Sequence, residues 1–497
     1  MIARFLLLLS LSGAVFGAPF DIASIPSPEG IDPQVGGMDV RPDGKIAVAF
    51  HRGEVMLLDP ASQSWSRFAE GLHEPLGVLA ESNDEILVMQ RAELTRLRDT
   101  DSDGRTDIYQ TVFDDFGMTG NYHEFAFGPA KGPDGALYIS LNVASNGAGI
   151  RPEIRGEWSD LGELDFKGMQ SDRGWNDRKG KAGRMYSRVP WRGWILRIDP
   201  KTGKAEPWAS GFRSPDGIGF DSDGRLLVTD NQGDWRGTSP LYVVKKGGFY
   251  GHPASLAWED GWSKGDPRKL PVAQLEKLRT GETARFPQGE LANSPTQPVV
   301  IPDGWGPYSG QTLIGEMNQP RLVRFLPDEV NGFTQGTLVG MLENDNIGIG
   351  NHRLAFTADG SLWIGKTHLS WAGNEGLKRV SPTADIKDVF TVTAVNLQKR
   401  GSGHVFRVTF SQPLADGPQV TGSRFSYRYH EDYGSPEIDK ATLTIASATV
   451  EPDGKQLLIE TEAREGAIHR LDLSKLRSRD GRELDTAKLF YQATELP

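Results

Sequence analysis

The sequence contains no cysteine among its 497 residues. This absence excludes disulfide bonds, thiolate metal sites, thiol nucleophiles and lipid attachment through cysteine. A protein without disulfide bonds must be stabilised by burial of apolar side chains, and a chain of this length can bury enough of them. The length also suggests more than one domain.

Long apolar segments and an excess of positive charge are missing as well. The apolar run Phe5–Leu11 is far shorter than the roughly 20 residues that a membrane-spanning helix needs. It follows Arg4 and precedes the small-residue stretch Val15–Ala18, so residues 1–18 are predicted to be a cleaved signal peptide of a periplasmic or secreted protein. A net charge of −11 argues against a nucleic acid partner, which would require a basic surface.

Glycine and proline are abundant, with 59 and 31 residues, as is typical of turn-rich all-β proteins. A repeated unit places an Asp-Gly turn between two strand patterns, which is a strong hairpin signal. Four copies turn at Asp43-Gly44, Asp134-Gly135, Asp223-Gly224 and Asp359-Gly360. A weaker copy turns at Asn83-Asp84, and the most degenerate copy covers Tyr308–Gly315. Six copies predict a six-bladed β-propeller over residues 19–383, with a large β-sandwich or a β-helix as the alternative.

The pattern changes after residue 384. About seven short strands, among them Val405–Phe410 and Gln456–Glu460, predict a small immunoglobulin-like β-sandwich over residues 384–497. This part of the sequence has no cluster of catalytic residue types. We therefore expect it to be a structural or docking unit.

Polar residues recur where the innermost strand of each predicted blade begins. These positions share one face of a propeller, and they hold His73, His123, Arg213 with Asp216, Tyr308, and His352 with Arg353. Histidine is the usual general base near neutral pH. Three imidazoles and a carboxylate are also suitable ligands for a divalent metal ion. The residues thus predict a site on the propeller axis and leave base catalysis and metal binding open.

Loops after the second strands should open on the same face. They include Asn231–Asp234, Lys366–His368 and a long insertion, Val143–Arg192, that is basic and contains Trp158, Trp175 and Trp191. Long insertions on one face commonly form lids or binding walls. The composition of this insertion suits a sugar or an anionic ring system, and a surface loop without function is the alternative.

An acidic loop resembles the beginning of a calcium-binding loop. Asp99, Asp101, Asp103 and Asp107 supply oxygens at positions one, three, five and nine around Gly104. Gln110 stands at position twelve, where a sensor loop has an acidic residue. We predict a Ca²⁺ site in this loop, with an ordinary acidic turn as the alternative.

Three stretches, Gly211–Gly217, Asn231–Asp234 and Lys246–Pro253, resemble the glucose/sorbosone dehydrogenase family in order and spacing. Tyr122–Glu124, before a Gly-Pro-Asp-Gly strand, resembles that family's catalytic histidine segment. The resemblance covers roughly residues 35–380. The appended sandwich makes the chain more similar to a branch of the family that is found in secreted bacterial proteins. It implies a quinoprotein propeller that uses pyrroloquinoline quinone and Ca²⁺ to oxidise a sugar.

The resemblance also implies individual roles. His123 would be the base that removes the hydroxyl proton, with Arg213 and Asp216 beside it. A further set would contact the quinone: Arg213, Gln232, His352 and Arg353. Gly233 and Asp234 would supply oxygens to the cofactor's calcium ion. The chain departs from the family in two ways. The stretch Glu316–Gln319 lacks the lysine that the family has there, and without cysteine the chain cannot carry the haem-binding module that members of the branch often contain.

The sequence therefore predicts an exported oxidoreductase that oxidises a sugar or polyol, with His123 as general base and an unidentified electron acceptor. One alternative is a metal-dependent hydrolase, lactonase or lyase that uses His73, His123, Asp216 and His352 as ligands or acid–base groups. Another alternative is a propeller that binds a glycan without turnover.

Overall fold

The computed structural model describes residues 18–145, 155–159, 185–343, 345–368, 373–401 and 403–497. The predicted signal peptide and most of the predicted insertion lie outside these residues. The described chain is almost entirely β-structure, as the sequence predicts. Its helical elements are an α-helix, Val272–Leu278, and the 3₁₀ turns Pro253–Trp258, Pro267–Lys269, Gly306–Tyr308 and Ala384–Asp388.

Five antiparallel sheets of four strands and the first four strands of an eight-stranded sheet follow one another along the chain, and we number these six sheets in that order. The first contains Val35–Val40, Ile46–Phe50, Val55–Leu58 and Trp65–Ala69. The second contains Gly77–Ala80, Glu85–Met89, Leu94–Arg98 and Ile108–Phe113. The third contains Ala126–Lys131, Leu137–Leu141, Trp194–Ile198 and Ala205–Ser210, beside a small ribbon of Ala144–Ser145 and Met185–Tyr186.

The remaining three sheets have the same antiparallel order. The fourth contains Gly217–Phe220, Leu226–Thr229, Pro240–Val243 and Ala284–Arg285. The fifth contains Pro295–Val300, Thr312–Glu316, Leu322–Val330 and Phe333–Met341. The sixth contains Asn351–Phe356, Leu362–Lys366, Gly376–Pro382 and, as its last strand, Phe20–Ile25 from the beginning of the described chain.

The first strands of the six sheets form a closed ring, because each lies beside the next and the sixth lies beside the first. The sixth sheet joins the two ends of this part of the chain, since Phe20–Ile25 pairs antiparallel with Leu377–Pro382. Each sheet therefore directs the beginning of its first strand toward the same end of the ring. This arrangement brings residues distant in sequence to one place.

The Asp-Gly turns form the hairpins that the sequence predicts. Gly44, Gly135, Gly224 and Gly360 all have φ between 76° and 85°, a region that favours glycine. The fifth sheet differs from the prediction made for the most degenerate repeat, Tyr308–Gly315. Its first strand is Pro295–Val300, and Tyr308 lies in a 3₁₀ turn beyond that strand with its hydroxyl donating to Asp485 at 2.7 Å. Tyr308 therefore does not begin an inner strand, because it lies after that strand, in a long turn that also contains Asp303-Gly304.

Buried apolar clusters lie between neighbouring sheets of the ring. One joins the first and second sheets through residues such as Val55 and Ile86, and another joins the sixth and first through Trp363 and Phe50. Each fully buried aliphatic or aromatic side chain contributes roughly 1.5–3 kcal/mol to folding. The ring is thus held together by apolar packing on both faces of each sheet.

The C-terminal part contains two sheets. One is formed by Val392–Arg400, Gly403–Phe410, Gln456–Thr461 and Ser447–Val450. The other strands, Lys488–Ala493, Ala467–Asp472, Thr421–Ser426 and Ile438–Thr442, extend the fifth sheet beyond Phe333–Met341. A buried cluster that includes Phe406, Leu457 and Tyr491 packs between the two sheets. Residue 384 therefore marks a change of topology but no break in the fifth sheet.

Candidate functional site

A cavity of about 350 Å³ lies where the first strands of the sheets begin. Its walls combine aromatic rings, neutral amides and hydroxyls, and a few ionisable groups. The lining residues are His51, Leu76, Tyr122, His123, Phe125, Phe127, Arg213, Ser214, Asp216, Asn231, Gln232, Gln288, Asn293, Ser294, Met317, His352, Thr367 and Tyr433. Such a mixture suits a small ligand with many hydroxyl groups and apolar ring faces.

Asp216 is the buried carboxylate at the floor of the cavity. Its Oδ1 accepts from His352 Nε2 at 3.1 Å and from both terminal nitrogens of Arg353 at 3.1 Å. Burial by itself raises the pKa of Asp216, but the charges of His352 and Arg353 lower it below its usual value. The carboxylate therefore stays ionised, and its charge is neutralised by neighbours from another sheet.

His352 is held through both ring nitrogens. Nδ1 lies 2.9 Å from the Val35 carbonyl oxygen, and Nε2 faces Asp216. Protein acceptors therefore engage both ring nitrogens, which makes His352 a poor metal ligand, because a metal requires a nitrogen lone pair.

His123 is held by the chain on either side of the cavity wall. Its Nδ1 lies 2.7 Å from the Val143 carbonyl oxygen, and its backbone N–H donates to Asn121 Oδ1 at 3.0 Å. A carbonyl at Nδ1 requires a proton there in the neutral ring, which leaves the lone pair on Nε2. The structure thus fixes the tautomer in which Nε2 is the basic atom.

Arg213 forms a buried ion pair beside the cavity. Its Nε donates to Asp234 Oδ1 at 3.0 Å, and Asp234 Oδ2 accepts from the Met185 N–H at 3.2 Å and lies 3.4 Å from His252 Nε2. Burial alone raises the pKa of Asp234, but the bonds and charges of His252 and Arg213 hold it well below its usual range. The pair is therefore ionised on both sides.

Gly233 makes this ion pair possible. A Cβ atom on Gly233 would lie 1.9 Å from Arg213 Nε, which is well inside van der Waals contact. Only a residue without a side chain allows the guanidinium to lie against the backbone at this point. The glycine in the Asn231–Asp234 loop therefore has a packing role.

The C-terminal part contributes Tyr433 to the cavity wall. Asp234 and Tyr433 form a backbone bridge, and the Gly434 N–H donates to the Gly233 carbonyl at 2.8 Å. The Arg213 guanidinium carbon lies 5.4 Å from the centre of the Tyr433 ring. The C-terminal part, which the sequence predicts to be a structural or docking unit, therefore supplies a side chain to the cavity wall.

The structure brings together five of the predicted site residues: His123, Arg213, Asp216, Gln232 and His352 all line the cavity. Arg353, Gly233 and Asp234 lie behind the wall and support it. His73 is exposed and does not line the cavity. Of the three tryptophans singled out in the insertion, Trp175 lies outside the described residues.

Sequence reasoning missed several lining residues that the fold supplies, among them His51, Phe125, Phe127 and Tyr433. His51 follows the second strand of the first sheet, so the rule that selected the Asn231 loop could have found it. Burial lowers the pKa of His51 to about 3, and the nearby charges of His352 and Arg353 act in the same direction. His51 is therefore a neutral imidazole at physiological pH.

One group of carboxylates has the geometry of a metal site. Among the described residues, only Asp99, Asp101 and Asp107 place three ligand atoms of histidine, aspartate or glutamate within 4.8 Å of one another. Asp99 is 6% exposed, and its Oδ1 has no hydrogen-bond partner. Asp103 is turned toward the chain, where its Oδ1 accepts from the Arg105 N–H at 2.8 Å.

The alternative metal set of four residues is not assembled. Asp216 and His352 bond to each other, while His73 is exposed and outside the cavity. The inner-strand rule placed His73 with the others, but it precedes its strand by four residues and lies at the surface.

A calcium ion at Gly233 and Asp234 does not fit the oxygens present. The Gly233 carbonyl accepts from the Gly434 N–H at 2.8 Å and from the Arg236 N–H at 3.1 Å. Both Asp234 oxygens face protein donors, as described above. Calcium needs six or more oxygen ligands, and these oxygens are already engaged.

The tricarboxylate of pyrroloquinoline quinone does not fit the charges either. Of the described lysines and arginines, only Arg213 lines the cavity, and Asp234 neutralises it. Arg353 uses all five N–H donors on Asp216 and on the backbone carbonyls of Gly36, Leu76 and His352. Lys366 is buried against Asn351 Oδ1 at 2.6 Å and the Ile349 carbonyl at 2.8 Å. A trianion would therefore enter without compensating charge.

The chain was compared with families, curated proteins and solved structures. Residues 59–257 match a family model described as a domain of unknown function, DUF7133. No curated protein matches the sequence significantly. In the described part of the chain, no helix is long and apolar enough to cross a membrane.

Several solved structures of sugar dehydrogenases are similar to this chain at low sequence identity. A protein named as an oxidoreductase (glucose dehydrogenase) from Thermus thermophilus is 17% identical, with a TM-score of 0.46, over 73% of this chain and 100% of its own. The PQQ-bound aldose sugar dehydrogenase of Streptomyces coelicolor is 16% identical, with a TM-score of 0.46, over 74% and 99%. The pyranose dehydrogenase PQQ domain of Coprinopsis cinerea is 13% identical, with a TM-score of 0.46, over 74% and 96%. At these values the likeness carries no activity over to this chain.

Proposed function

We propose that the chain is an enzyme that acts on a neutral carbohydrate in the cavity, with His123 as the general base. The observation that carries this proposal is the bond from His123 Nδ1 to the Val143 carbonyl, which makes Nε2 the basic atom of a ring that lines the cavity. A base with a fixed tautomer, held among neutral hydrogen-bonding groups, is suited to remove a proton from a hydroxyl group or water.

Hydrolysis of a sugar lactone is the reaction that these residues support best. His123 takes a proton from a water molecule, whose oxygen forms a bond to the lactone carbonyl carbon. Arg213, whose Nε is paired with Asp234, donates a hydrogen bond from a terminal nitrogen to the carbonyl oxygen as it becomes negative, which stabilises the transition state. The bond from this carbon to the ring oxygen then breaks, and the leaving alkoxide receives the proton from His123. This reaction requires neither a metal ion nor a redox cofactor.

The second candidate is the sugar or polyol oxidoreductase that the sequence resemblance predicts. It is favoured by the convergence of the matched stretches, because Arg213 and the Asn231–Asp234 loop line the cavity and His252 contacts Asp234 behind its wall. In this candidate His123 would remove the hydroxyl proton, and a bound quinone would supply the hydride-accepting chemistry. The pairing of every nearby cation with a buried partner weighs against this candidate.

An assay with two substrate classes distinguishes the candidates. Purified protein is offered sugar lactones with a pH indicator, and separately a panel of aldoses and polyols with added quinone, Ca²⁺ and an artificial electron acceptor. We expect proton release from a lactone and no dye reduction. Quinone-dependent dye reduction without lactone hydrolysis would establish the second candidate, and binding of a glycan without either reaction would leave a binding protein.

The fold and the cellular location of the protein are also proposed. We interpret the six sheets as the blades of a six-bladed β-propeller closed by Phe20–Ile25, followed by an immunoglobulin-like sandwich that shares the fifth sheet. We also propose that the protein is exported after cleavage of residues 1–18. Sequencing the amino terminus of the protein secreted by its host tests this, because the mature chain should begin at Pro19.

The proposal further includes a structural Ca²⁺ ion in the Asp99–Asp107 loop. Asp99 Oδ1 is a buried carboxylate oxygen without a partner, and Asp101 and Asp107 bring further oxygens to within 4.8 Å. Oxygen ligands of this kind are those that calcium prefers. The Thr106 N–H of this loop donates to the Phe68 carbonyl of the first sheet at 2.8 Å, so a bound ion would brace two neighbouring sheets.

A further inference from the structure

We infer that Tyr433, from the C-terminal part of the chain, is a positioning residue for the carbohydrate in the cavity. This inference rests on the proposed function and adds to it the part of the site that no inner strand supplies. Tyr433 belongs to the segment Arg428–Ser435, which lies between the strands Thr421–Ser426 and Ile438–Thr442.

Backbone hydrogen bonds fix the segment to the loop that follows the second strand of the fourth sheet. The Trp235 N–H donates to the His430 carbonyl at 3.0 Å, the Gly434 N–H donates to Gly233 at 2.8 Å, and the Ser435 N–H donates to Gly237 at 2.9 Å. These bonds join parts of the chain that are about 200 residues apart in sequence. The ring of Tyr433 is therefore placed by the backbone as well as by its own contacts.

Side chains fix the segment from its other end. The Tyr429 hydroxyl donates to the Gly251 carbonyl at 2.6 Å, and its ring lies 5.3 Å from that of Trp235. Tyr429 does not line the cavity, whereas Tyr433, four residues further on, does. The two tyrosines therefore separate two roles on one segment, since Tyr429 anchors it and Tyr433 presents a ring to the ligand.

The chemistry of the wall indicates what Tyr433 contacts. Arg213 lies against the ring at 5.4 Å, and Tyr122, which is 40% exposed, provides a second aromatic ring on the cavity lining. The C–H face of a sugar ring can pack on a tyrosine ring while its hydroxyls bond to amides such as Gln232 and Asn293. Loss of the ring should weaken binding and leave the proton transfer at His123 unchanged.

The test compares three variants in lactone turnover and in sugar binding. The variants are Tyr433→Ala, Tyr433→Phe and Tyr429→Phe; turnover uses D-glucono-δ-lactone, and binding uses D-glucose titrated in a calorimeter. For Tyr433→Ala we expect KM and the glucose dissociation constant to rise about 10-fold, with kcat within about 3-fold, as an aromatic contact of this type predicts. Tyr433→Phe should restore both values. Tyr429→Phe removes the bond that anchors the segment, so it measures a purely structural effect and should raise the dissociation constant less than Tyr433→Ala does.

Each outcome decides the question. Equal affinity in Tyr433→Ala and the unmutated protein overturns the inference, as does a parallel loss of kcat and affinity in Tyr433→Ala and Tyr429→Phe, which would show a structural role. Glucose binding without turnover in the unmutated protein overturns the proposed reaction alone, and the calorimetric comparison still decides the role of Tyr433. Absence of both turnover and binding overturns the proposed function and the inference together.

Discussion

Asp216 Oδ1 lies 3.1 Å from His352 Nε2, and the same oxygen accepts from both terminal nitrogens of Arg353. Asp216 precedes the first strand of the fourth sheet, and His352 and Arg353 belong to the first strand of the sixth. One buried carboxylate thus joins two sheets across the ring. This relationship also explains why Arg353 is not available to a ligand, since Asp216 and backbone carbonyls engage its N–H donors.

We expect Asp216→Asn to destabilise the fold strongly. The substitution leaves Arg353 buried without its counter-ion, a change that costs about 3–5 kcal/mol of the free energy of unfolding. Urea denaturation followed by fluorescence measures the effect. The matched control is Glu483→Gln, which removes the exposed ion pair with Arg477 and should cost less than about 1 kcal/mol. Equal effects of the two substitutions would contradict the role given to Asp216.

His123→Ala should abolish most turnover without unfolding the protein. Loss of a general base reduces the rate by a factor of about 10²–10⁴ while binding persists. Steady-state kinetics on the lactone or sugar that the unmutated enzyme turns over provides the measurement. His73→Ala is the control, because His73 is exposed outside the cavity and its loss should leave kcat unchanged. A rate loss shared by both variants would remove His123 from the catalytic role.

Gly233→Ala should displace Arg213. The added Cβ would lie 1.9 Å from Arg213 Nε, so the guanidinium must move away from Asp234. Overpacking of this kind costs about 1–3 kcal/mol of stability, and we expect affinity for the ligand to fall as well. Thermal denaturation and calorimetry measure the two effects. In Gly403→Ala the nearest atom to the new Cβ is 3.9 Å away, and this control should behave like the unmutated protein.

Calcium should raise the melting temperature of the protein through the Asp99–Asp107 loop. A ligand selective for the folded state stabilises it by about 2.7 kcal/mol at a concentration roughly 100 times its dissociation constant. Differential scanning calorimetry with CaCl₂ and with a chelator measures this. Asp101→Asn should remove the difference, whereas Asp103→Asn should retain it, because Asp103 bonds to the Arg105 N–H. Retention of the calcium effect in Asp101→Asn would show that the loop is an ordinary acidic turn.

Lys366 should make stability increase with pH above neutrality. Burial lowers the pKa of Lys366 to about 7 from the ordinary 10.5. Between these two values the unfolded chain binds the proton and the folded protein does not, so the folded state gains stability as the pH rises. Below about pH 7 both states are protonated and the penalty is complete.

The measurement compares unfolding free energies of the unmutated protein and Lys366→Gln between about pH 6.5 and pH 9.5, a range that spans the lowered pKa. The difference between the two proteins should change in favour of lysine by on the order of 3 kcal/mol. A difference that is constant over this range would show that Lys366 keeps its ordinary pKa in the folded protein.

Local structure follows from the order of the amino acids alone. Asp-Gly pairs between two strand patterns specify hairpins because glycine adopts the positive φ that the turn requires, and these hairpins appear where the repeats predict them. The rule that inner strands begin at a common face also selected His123, Asp216 and His352, all of which line one cavity. In the fifth sheet the Asp-Gly pair is Asp303-Gly304, inside a long turn, and the repeat was assigned to residues beyond it, so Tyr308 was misplaced.

Which side chains are available for chemistry depends instead on long-range packing. Arg353 and Asp234 have residue types that suit a cofactor or a metal ion, but buried partners from other parts of the chain engage them. Tyr433 reaches the cavity through a segment about 200 residues away in sequence from the loop it pairs with, and no local pattern specifies such a contact. Periodicity records which face of a strand is buried, whereas charge pairing and cavity shape depend on what the fold places opposite that face.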